Sequence, residues 1–524
     1  MERRKRQTLA RAYFERKNIA THHICSFNRF LDADLQTIVD QKEAIQTSIG
    51  NSDSEDEPDG ESNDEPLTAR LDEIRFESPQ VRESDGTVNL IYPQEARHRN
   101  LTYAAPMYLN IQLITGGNQE PKSVFRESEV KIGELPIMVR SEGCNLNGLS
   151  ASERLHYNED PIDPGGYFIV NGNERALMST EDLAMNRILT SFEQGSSDQY
   201  PVAKTHSSHK GYRNITTVVY DRNSRLTVSF PGVPGTLAFT TVICALDLET
   251  DNEIQQHFDD DGQIMRLLLA SLEDGDVRNR DTALNKIGSK VAPRQSSEYQ
   301  HDRAAKILEQ RLLPHLSKPQ DQTTGGRHAK AIHLCRMAQA CFKLHLGRCD
   351  PDDKDHYKHK RVKLAGDLMR DQFRAILNRF GRDLKYQIER AYKRDRGLAI
   401  SNLIQSDLIG NRLTTALATG NWVGGRSGVS QFVDRTNMLS LISQLRRVQT
   451  PLSRSRPHFD ARELHATHWG RICPSETPEG PNCGLVKHLA QANDLSVIEP
   501  EEHSVVKELI SMGVRQTEQH PTER

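Results

Sequence analysis

His465 and His468, with Cys473 and Cys483 downstream, supply two imidazoles and two thiols, the donor set of a tetrahedral zinc site. The spacing works against that reading. The cysteines are far apart for a zinc knuckle and prolines lie between them, so no zinc is expected in this chain. His333, Cys335, Cys341, His345 and Cys349 crowd one helical stretch at spacings that do not make a tetrahedron, and thiols of this kind read as core residues. Asp259-Asp260-Asp261-Gly262 could hold a divalent ion, but it reads as an acidic turn. Two-metal phosphoryl transfer needs converging carboxylates. Asp32 and Asp34 form an Asp-x-Asp pair in an apolar context, and helical geometry points them apart. No Ser-His-Asp or Cys-His arrangement stands out. The sequence therefore shows no self-contained active site, and no catalytic residue is assigned.

The arginines of the last third carry more information. In Gly420–Gln431, Gly424, Gly425 and Gly428 flank Arg426. Glycines admit positive φ and close backbone approach, so either a hairpin touching phosphates or a plain tight turn satisfies the pattern. It is not a Walker loop, because no Gly-Lys-Ser/Thr follows. Arg446-Arg447, then Arg454 and Arg456, follow a segment with Leu439, Ile442 and Leu445 at helical spacing. Adjacent arginines cannot share one outward face, so at least one is expected to pair with a carboxylate or a phosphate. From 411 to 475 there are 9 Arg against 3 acids, and from 354 to 396 there are 14 Lys+Arg against 6 Asp+Glu.

These groups need elements to hold them. Residues 1–48 carry Leu9, Tyr13, Ile19, Ile24, Phe27, Phe30, Leu31, Leu35, Ile38 and Ile45 at roughly helical spacing. Residues 51–66 hold eight carboxylates and no base, and such a run predicts a disordered loop. Deleting 51–66 should leave assembly with partners intact; failure to co-purify after the deletion would show a specific contact there. Residues 67–182 and 200–250 read as strands. Tyr167–Val170 running into Asn171-Gly172 predicts a hairpin with a type I′ turn, and Leu226, Val228 and Phe230 share a face. Residues 262–348 are helical, with Ile332, Cys335, Gln339 and Phe342 on a helix that stops at Gly347. Residues 354–396 form a basic helical region whose apolar stripe is Leu364, Leu368, Phe373, Ile376, Leu377 and Phe380.

The whole chain is 524 residues with 36% hydrophobic residues and a net charge of −4, which excludes a small, uniformly basic DNA binder. No apolar run approaches the roughly 18–20 residues of a membrane span, and no membrane partner is expected. The basic N-terminus is not followed by an apolar stretch, so no secretory signal is expected. Eight scattered cysteines without a Cys-x-x-Cys pair read as reduced thiols, which implies a cytoplasmic setting.

His465-Ala-Thr-His-Trp-Gly-Arg-Ile-Cys-Pro-Ser-Glu-Thr-Pro-Glu-Gly-Pro-Asn-Cys-Gly-Leu-Val-Lys487 resembles the signature of the second-largest subunit of multisubunit RNA polymerases. Gly165–Gly172, Asp353–Arg361, Gly420-Asn-Trp422, Gly428–Gln431 and Leu445-Arg-Arg447 agree in the same order, so the resemblance spans most of the chain. Arg524 follows Lys487 by about 37 residues, where single-chain members continue for hundreds. That looks like the archaeal split form, the N-terminal B″ half, and most like its haloarchaeal version. The resemblance implies an α+β, multidomain fold: protrusion over 1–182 and 346–410, lobe over 183–345, fork over 411–487, and the start of an external region over 488–524.

The resemblance also implies roles. A subunit of a DNA-directed RNA polymerase, a nucleotidyltransferase of transcription, is not active alone. It forms one wall of the DNA cleft and contacts template DNA and the RNA–DNA hybrid. By motif match Arg426 and Gln431 sit at the first fork loop, Arg446, Arg447 and Arg454 flank or form the second, and Glu476 lies beside the hybrid. The catalytic Mg2+ belongs to the largest subunit. Implied partners are the complementary B′ half, the largest-subunit fragments A′ and A″, the assembly-platform subunits and nascent RNA. Two other readings are a stand-alone nucleic-acid-binding scaffold that reuses the fold, and an independent metal hydrolase or nucleotidyl enzyme, against which the lack of a carboxylate cluster or paired metal motif argues.

Overall fold

The computed structural model describes residues 4–9, 12, 18–42, 44–47, 67–115, 123–194, 199–209, 211–272, 277, 279–317, 325–393, 403–497 and 502–514. The acidic run at 51–66 and Tyr13 lie outside the described residues. The chain divides into two compact units. One is Met1–Glu181 with Val362–Arg524, and the other is Asp182–Arg361. Helices and sheets occur in both, as an α+β, multidomain chain requires.

The first unit begins with α1 (Thr21–Arg29), a π-helical turn at Phe30–Asp34 and α2 (Leu35–Asp40). Phe27 packs edge-on against Phe168 at 5.3 Å, and Phe30 against Phe373 at 6.2 Å. The helical reading of 1–48 fails at its end, where Ile45 lies on β1 (Ile45–Thr47). Pairing with β2 (Leu67–Phe76) satisfies that backbone across the sheet instead of along a helix. The short helix α3 (Pro93–His98) comes before β3 (Ala104–Thr115) and β4 (Ser123–Pro136), and the antiparallel sheet runs β1-β2-β3-β4. Register shifts at Leu71/Ile74, Met107/Tyr108 and Leu109/Ile111 bend these long strands around the core.

The predicted hairpin is present. β5 (Phe168–Val170) turns through Asn171 (φ 50°) and Gly172 (φ 75°) into β6 (Asn173–Leu177), with Val170 opposite Asn173. Positive φ at both turn residues is what a type I′ turn demands. Strand β7 (Ser179–Leu183) follows.

The second unit is a five-stranded antiparallel meander: β8 (Ile188–Gln194), β9 (Gln199–His209), β10 (Tyr212–Tyr220), β11 (Leu226–Ser229) and β12 (Leu237–Ala238). Leu226, Val228 and Phe230 are buried as expected. The strand reading of 200–250 ends at Ala238, because α4 (Phe239–Ala245) is a helix with all seven residues buried. A continuous apolar run has no alternation to distinguish strand from helix. Helix α5 (Gly262–Leu272), α6 (Arg280–Val291), α7 (Ser297–Gln310) and α8 (Gly325–His345) complete the unit. Leu334, Cys335, Met337, Ala338, Cys341 and Phe342 of α8 are buried in its core. The stop at Gly347 (φ 67°) is reinforced by Arg348 N–H donating to the Lys343 carbonyl at 2.9 Å. The acidic turn is tied by ion pairs, Asp259 to Lys343 and Asp261 to Arg348. Segment 350–361 stays with this unit, since Thr190 donates N–H and Oγ–H to Asp352 at 2.9 and 3.0 Å.

The chain then returns to the first unit with α9 (Ala365–Lys393). Leu368, Phe373, Ile376, Leu377 and Phe380 face the core, while Arg379, Arg382 and Arg390 are exposed. Gly366, at the start of α9, lies so close to α1 that a Cβ there would stand 1.9 Å from the Ser26 carbonyl oxygen. Helix α10 (Leu408–Thr419), β13 (Ser430–Phe432), α11 (Met438–Leu445), β14 (Arg447–Gln449), β15 (Val486–His488) and α12 (Glu502–Ser511) follow. Strand β13 joins the hairpin as the sheet β13-β6-β5, and β14 pairs antiparallel with β15 and parallel with Ser179 and Thr180 of β7.

Candidate nucleic-acid interface

Helix α10 ends at Gly420 (φ 75°), where a Cβ would meet the Ser430 carbonyl at 2.6 Å. A tight turn follows, closed by Trp422 N–H donating to the Arg426 carbonyl at 2.8 Å. The indole of Trp422 anchors the turn by donating to the Leu368 carbonyl at 2.9 Å. Gly424, Gly425 and Gly428 all have positive φ, and nothing lies within 4 Å of a Cβ at any of them. Each of these glycines takes the left-handed backbone that the turn uses, and among the described residues no atom crowds a side chain placed there. Arg426 sits half-buried on this turn. Gln431, on β13 opposite Ala176, folds its amide back to the Gly428 carbonyl at 3.1 Å.

The arginine pair is built by α11 and the strands after it. Asn437 caps α11 by accepting from Ser440 N–H at 2.8 Å. Gln444 is buried; it accepts from Asp434 N–H and donates to the Phe432 carbonyl, each at 2.7 Å, which fixes the loop entering the helix. Arg446 donates to the Ala490 carbonyl at 2.6 Å and so anchors main chain. The bond to that neutral carbonyl is charge-assisted from the arginine side.

Arg447 lies on β14 opposite His488 of β15 and donates Nε–H to His488 Nε2 at 3.5 Å. That acceptor role leaves the His488 proton on Nδ1, which donates to the Glu476 carbonyl at 3.0 Å. Burial pulls the Arg447 guanidinium below its usual range, while Asp434 and Glu476 oppose the shift. The Glu476 carboxylate accepts from Ser443 Oγ–H at 2.7 Å. Arg446, Arg447 and Glu476 are thus gathered at one strand pair. Gln431 is on the neighbouring sheet, and Arg426 and Arg454 occupy separate turns. Arg454 is exposed, and its carbonyl accepts from Arg462 at 3.4 Å.

The sequence missed two features. Lys487 and Glu181 form a buried ion pair at 3.0 Å, 5% and 2% exposed, joined by Thr450 Oγ–H donating to Glu181 at 2.8 Å. Arg435 pairs with Glu174 at 2.6 Å and Asp163 at 2.8 Å, and Arg97 shares Glu174 at 2.7 Å. No local pattern marks either, because the partners lie from 77 to 306 residues apart.

The candidate metal donors are dispersed among other bonds. His465 Nδ1 accepts from Thr467 N–H at 3.1 Å, and Cys473 lies 3.6 Å from Ser475 Oγ. Among the described residues no three His, Cys, Asp or Glu side chains converge on one point. Among the described residues no helix is long and apolar enough to cross a membrane.

The described residues thus form a two-unit α+β chain whose arginines sit at strand ends and turns. The family model of the RNA polymerase beta subunit matches residues 18–411, and that of RNA polymerase Rpb2, domain 3, matches 431–494. The chain belongs to the RNA polymerase beta-subunit family. It is 49% identical over 509 residues to the DNA-directed RNA polymerase subunit Rpo2N of Halobacterium salinarum, covering 97% of this chain and 96% of that one. The Rpo2N of Methanococcus vannielii is 43% identical, covering 94% and 95%. Subunit Rpo2 of Saccharolobus shibatae is also 43% identical, covering 96% of this chain but 42% of that protein. The split archaeal form expected from the signature is therefore the right one, and the chain is an enzyme subunit.

Proposed function

We propose that this subunit forms one wall of the DNA cleft in the assembled polymerase. The fork, residues 411–487, contacts template DNA and the RNA–DNA hybrid during template-directed RNA synthesis from ribonucleoside triphosphates. Arg426, Gln431, Arg446, Arg447, Arg454 and Glu476 are the contact region. Arg446 acts there by holding main chain; Arg447 and Arg454 hold phosphates, which positions strands without reading bases. The observation that carries this reading is the local excess of arginine over acid, with Arg454, Arg456 and Arg471 on exposed turns. The second unit runs to Arg361 and not to the 345 expected from the resemblance, so residues 1–181 and 362–410 serve as protrusion, 182–361 as lobe, and 488–524 as the start of the external region.

The partners are the complementary half of this subunit, the largest-subunit fragments that hold the Mg2+, and the assembly-platform subunits, in the cytoplasm. Trp469, Phe459 and Leu464 are 90%, 73% and 63% exposed, which favours a protein neighbour covering them.

The test uses polymerase reconstituted with Arg447→Ala or Arg454→Ala. Each should destabilise the elongation complex by about 1.5–3 kcal/mol, the worth of a hydrogen bond to a charged group. Complexes should dissociate at lower salt, and elongation should slow. Arg454 is exposed, so its variant separates contact from folding. Unchanged elongation and salt tolerance in both variants would remove the reading.

A further inference from the structure

We propose that His22 and His23 of α1 are positioning residues for the Arg446–Arg447 pair. Both imidazoles place Nε2 on one atom, the main-chain carbonyl oxygen of Leu445, at 3.1 and 3.0 Å. A carbonyl oxygen only accepts and has two lone pairs, so the geometry assigns Nε2–H to both rings. The rings lie 4.3 Å apart and tilted, which lets both reach the same acceptor.

Leu445 is the last residue of α11, where terminal carbonyls have no partner within the helix. The next two residues are the arginines. The Arg446 carbonyl accepts from Leu489 N–H at 3.0 Å, and the Arg446 side chain is tied to Ala490. The histidines therefore restrain the peptide through which α11 passes into the pair.

The other ring nitrogen supports this assignment. His23 Nδ1 is buried and has no hydrogen-bond partner among the described residues. Leaving a buried polar atom unpaired carries a desolvation cost that an apolar side chain of similar size avoids. What imidazole adds over such a side chain is the bond to Leu445. Burial lowers the pKa of His23 to about 4 and puts that of His22 well below its usual value, so both donors are neutral rings at neutral pH.

The inference rests on the reading of Arg447 as a nucleic-acid contact. Its test uses the reconstituted polymerase carrying His23→Leu, His23→Gln, Arg447→Ala, or His23→Leu with Arg447→Ala. Glutamine presents an amide N–H near the position of Nε2; leucine presents none. The readouts are elongation rate at saturating nucleotide and the salt concentration that dissociates a stalled complex. Small misplacements of a contact group cost up to about 100-fold in rate. His23→Leu should slow elongation about tenfold, His23→Gln should restore it to within about twofold, and the loss should shrink in the Arg447→Ala background.

A glutamine variant as slow as leucine, or a leucine effect that adds undiminished to Arg447→Ala, overturns the inference. So does a wild-type rate in His23→Leu when Arg447→Ala is slow, and that outcome leaves the Arg447 reading standing. Wild-type behaviour of Arg447→Ala overturns both. If His23→Leu does not assemble, His23→Asn takes its place, since its shorter amide does not reach the carbonyl. Equal rates for Asn and Gln would then count against the inference.

Discussion

Replacing Lys487 with methionine should destabilise the β7-β14-β15 sheet by about 3–5 kcal/mol, because it strands the Glu181 carboxylate in a dry interior. The pair is almost fully buried, and Thr450 adds a hydroxyl donor to that carboxylate. A neutral hydroxyl does not replace an ammonium. The mechanism is the unpaired charge, so the double variant Lys487→Met with Glu181→Leu should recover most of the loss. Hydrogen exchange at the amides of β14 and β15 is the suitable measurement, since a two-unit chain need not unfold in one step. Lys487→Met should open these amides faster than either wild type or the double variant. Equal exchange in the single and double variants would show that packing volume, and not charge, governs the site.

Gly366→Ala should be the other severe change, and its sign opposes helix propensity. Near the start of a helix, alanine for glycine ordinarily stabilises by up to about 1 kcal/mol. Here the new methyl would stand 1.9 Å from the Ser26 oxygen and 2.4 Å from its carbon, both main-chain atoms of α1. Neither helix can yield without moving the Phe27 and Phe30 contacts. Overpacking of this kind costs about 1–3 kcal/mol or more. Separation would also stretch the bond from Gly366 N–H to Ser26 Oγ, 3.0 Å long. Gly424→Ala is the control: its φ is 81° but its surroundings are open, so only the left-handed strain of about 1–2 kcal/mol applies. Urea midpoints of the two variants should rank Gly366→Ala well below Gly424→Ala. The reverse order would mean that α1 and α9 separate at little cost.

These two positions also show where sequence reading stops. Asn171-Gly172, the stop at Gly347 and the buried stripe from Leu364 to Phe380 were legible, because each depends on neighbours within a few residues. The polymerase signature was legible for the same reason. Gly366 looked like a poor helix former and nothing more, since Ser26 is 340 residues away. Lys487 sat in a recognisable motif, yet its partner Glu181 is 306 residues distant and ordinary in its local context. The helix at Phe239–Ala245 was misread because uniform burial erases periodicity. The carbonyl partners of Arg446 could not be inferred from charge. His22 and His23 gave no signal at all, because a main-chain carbonyl carries no residue type.

The interruption of the first unit by residues 182–361 also sets a timetable for synthesis. β6 is made by Leu177, but β13, which pairs with it, begins only at Ser430. At about 5–20 residues per second, that strand waits on the order of tens of seconds for its neighbour. Throughout that interval β6 offers an unpaired edge, the kind of template on which chains aggregate. The five strands of the second unit are consecutive and pair with one another, so their sheet can close while the ribosome is still making the rest. The nascent chain therefore carries finished sheets beside open strands, with β6 waiting for β13 and β7 for β14, and these open strands are the part a holding chaperone would have reason to cover.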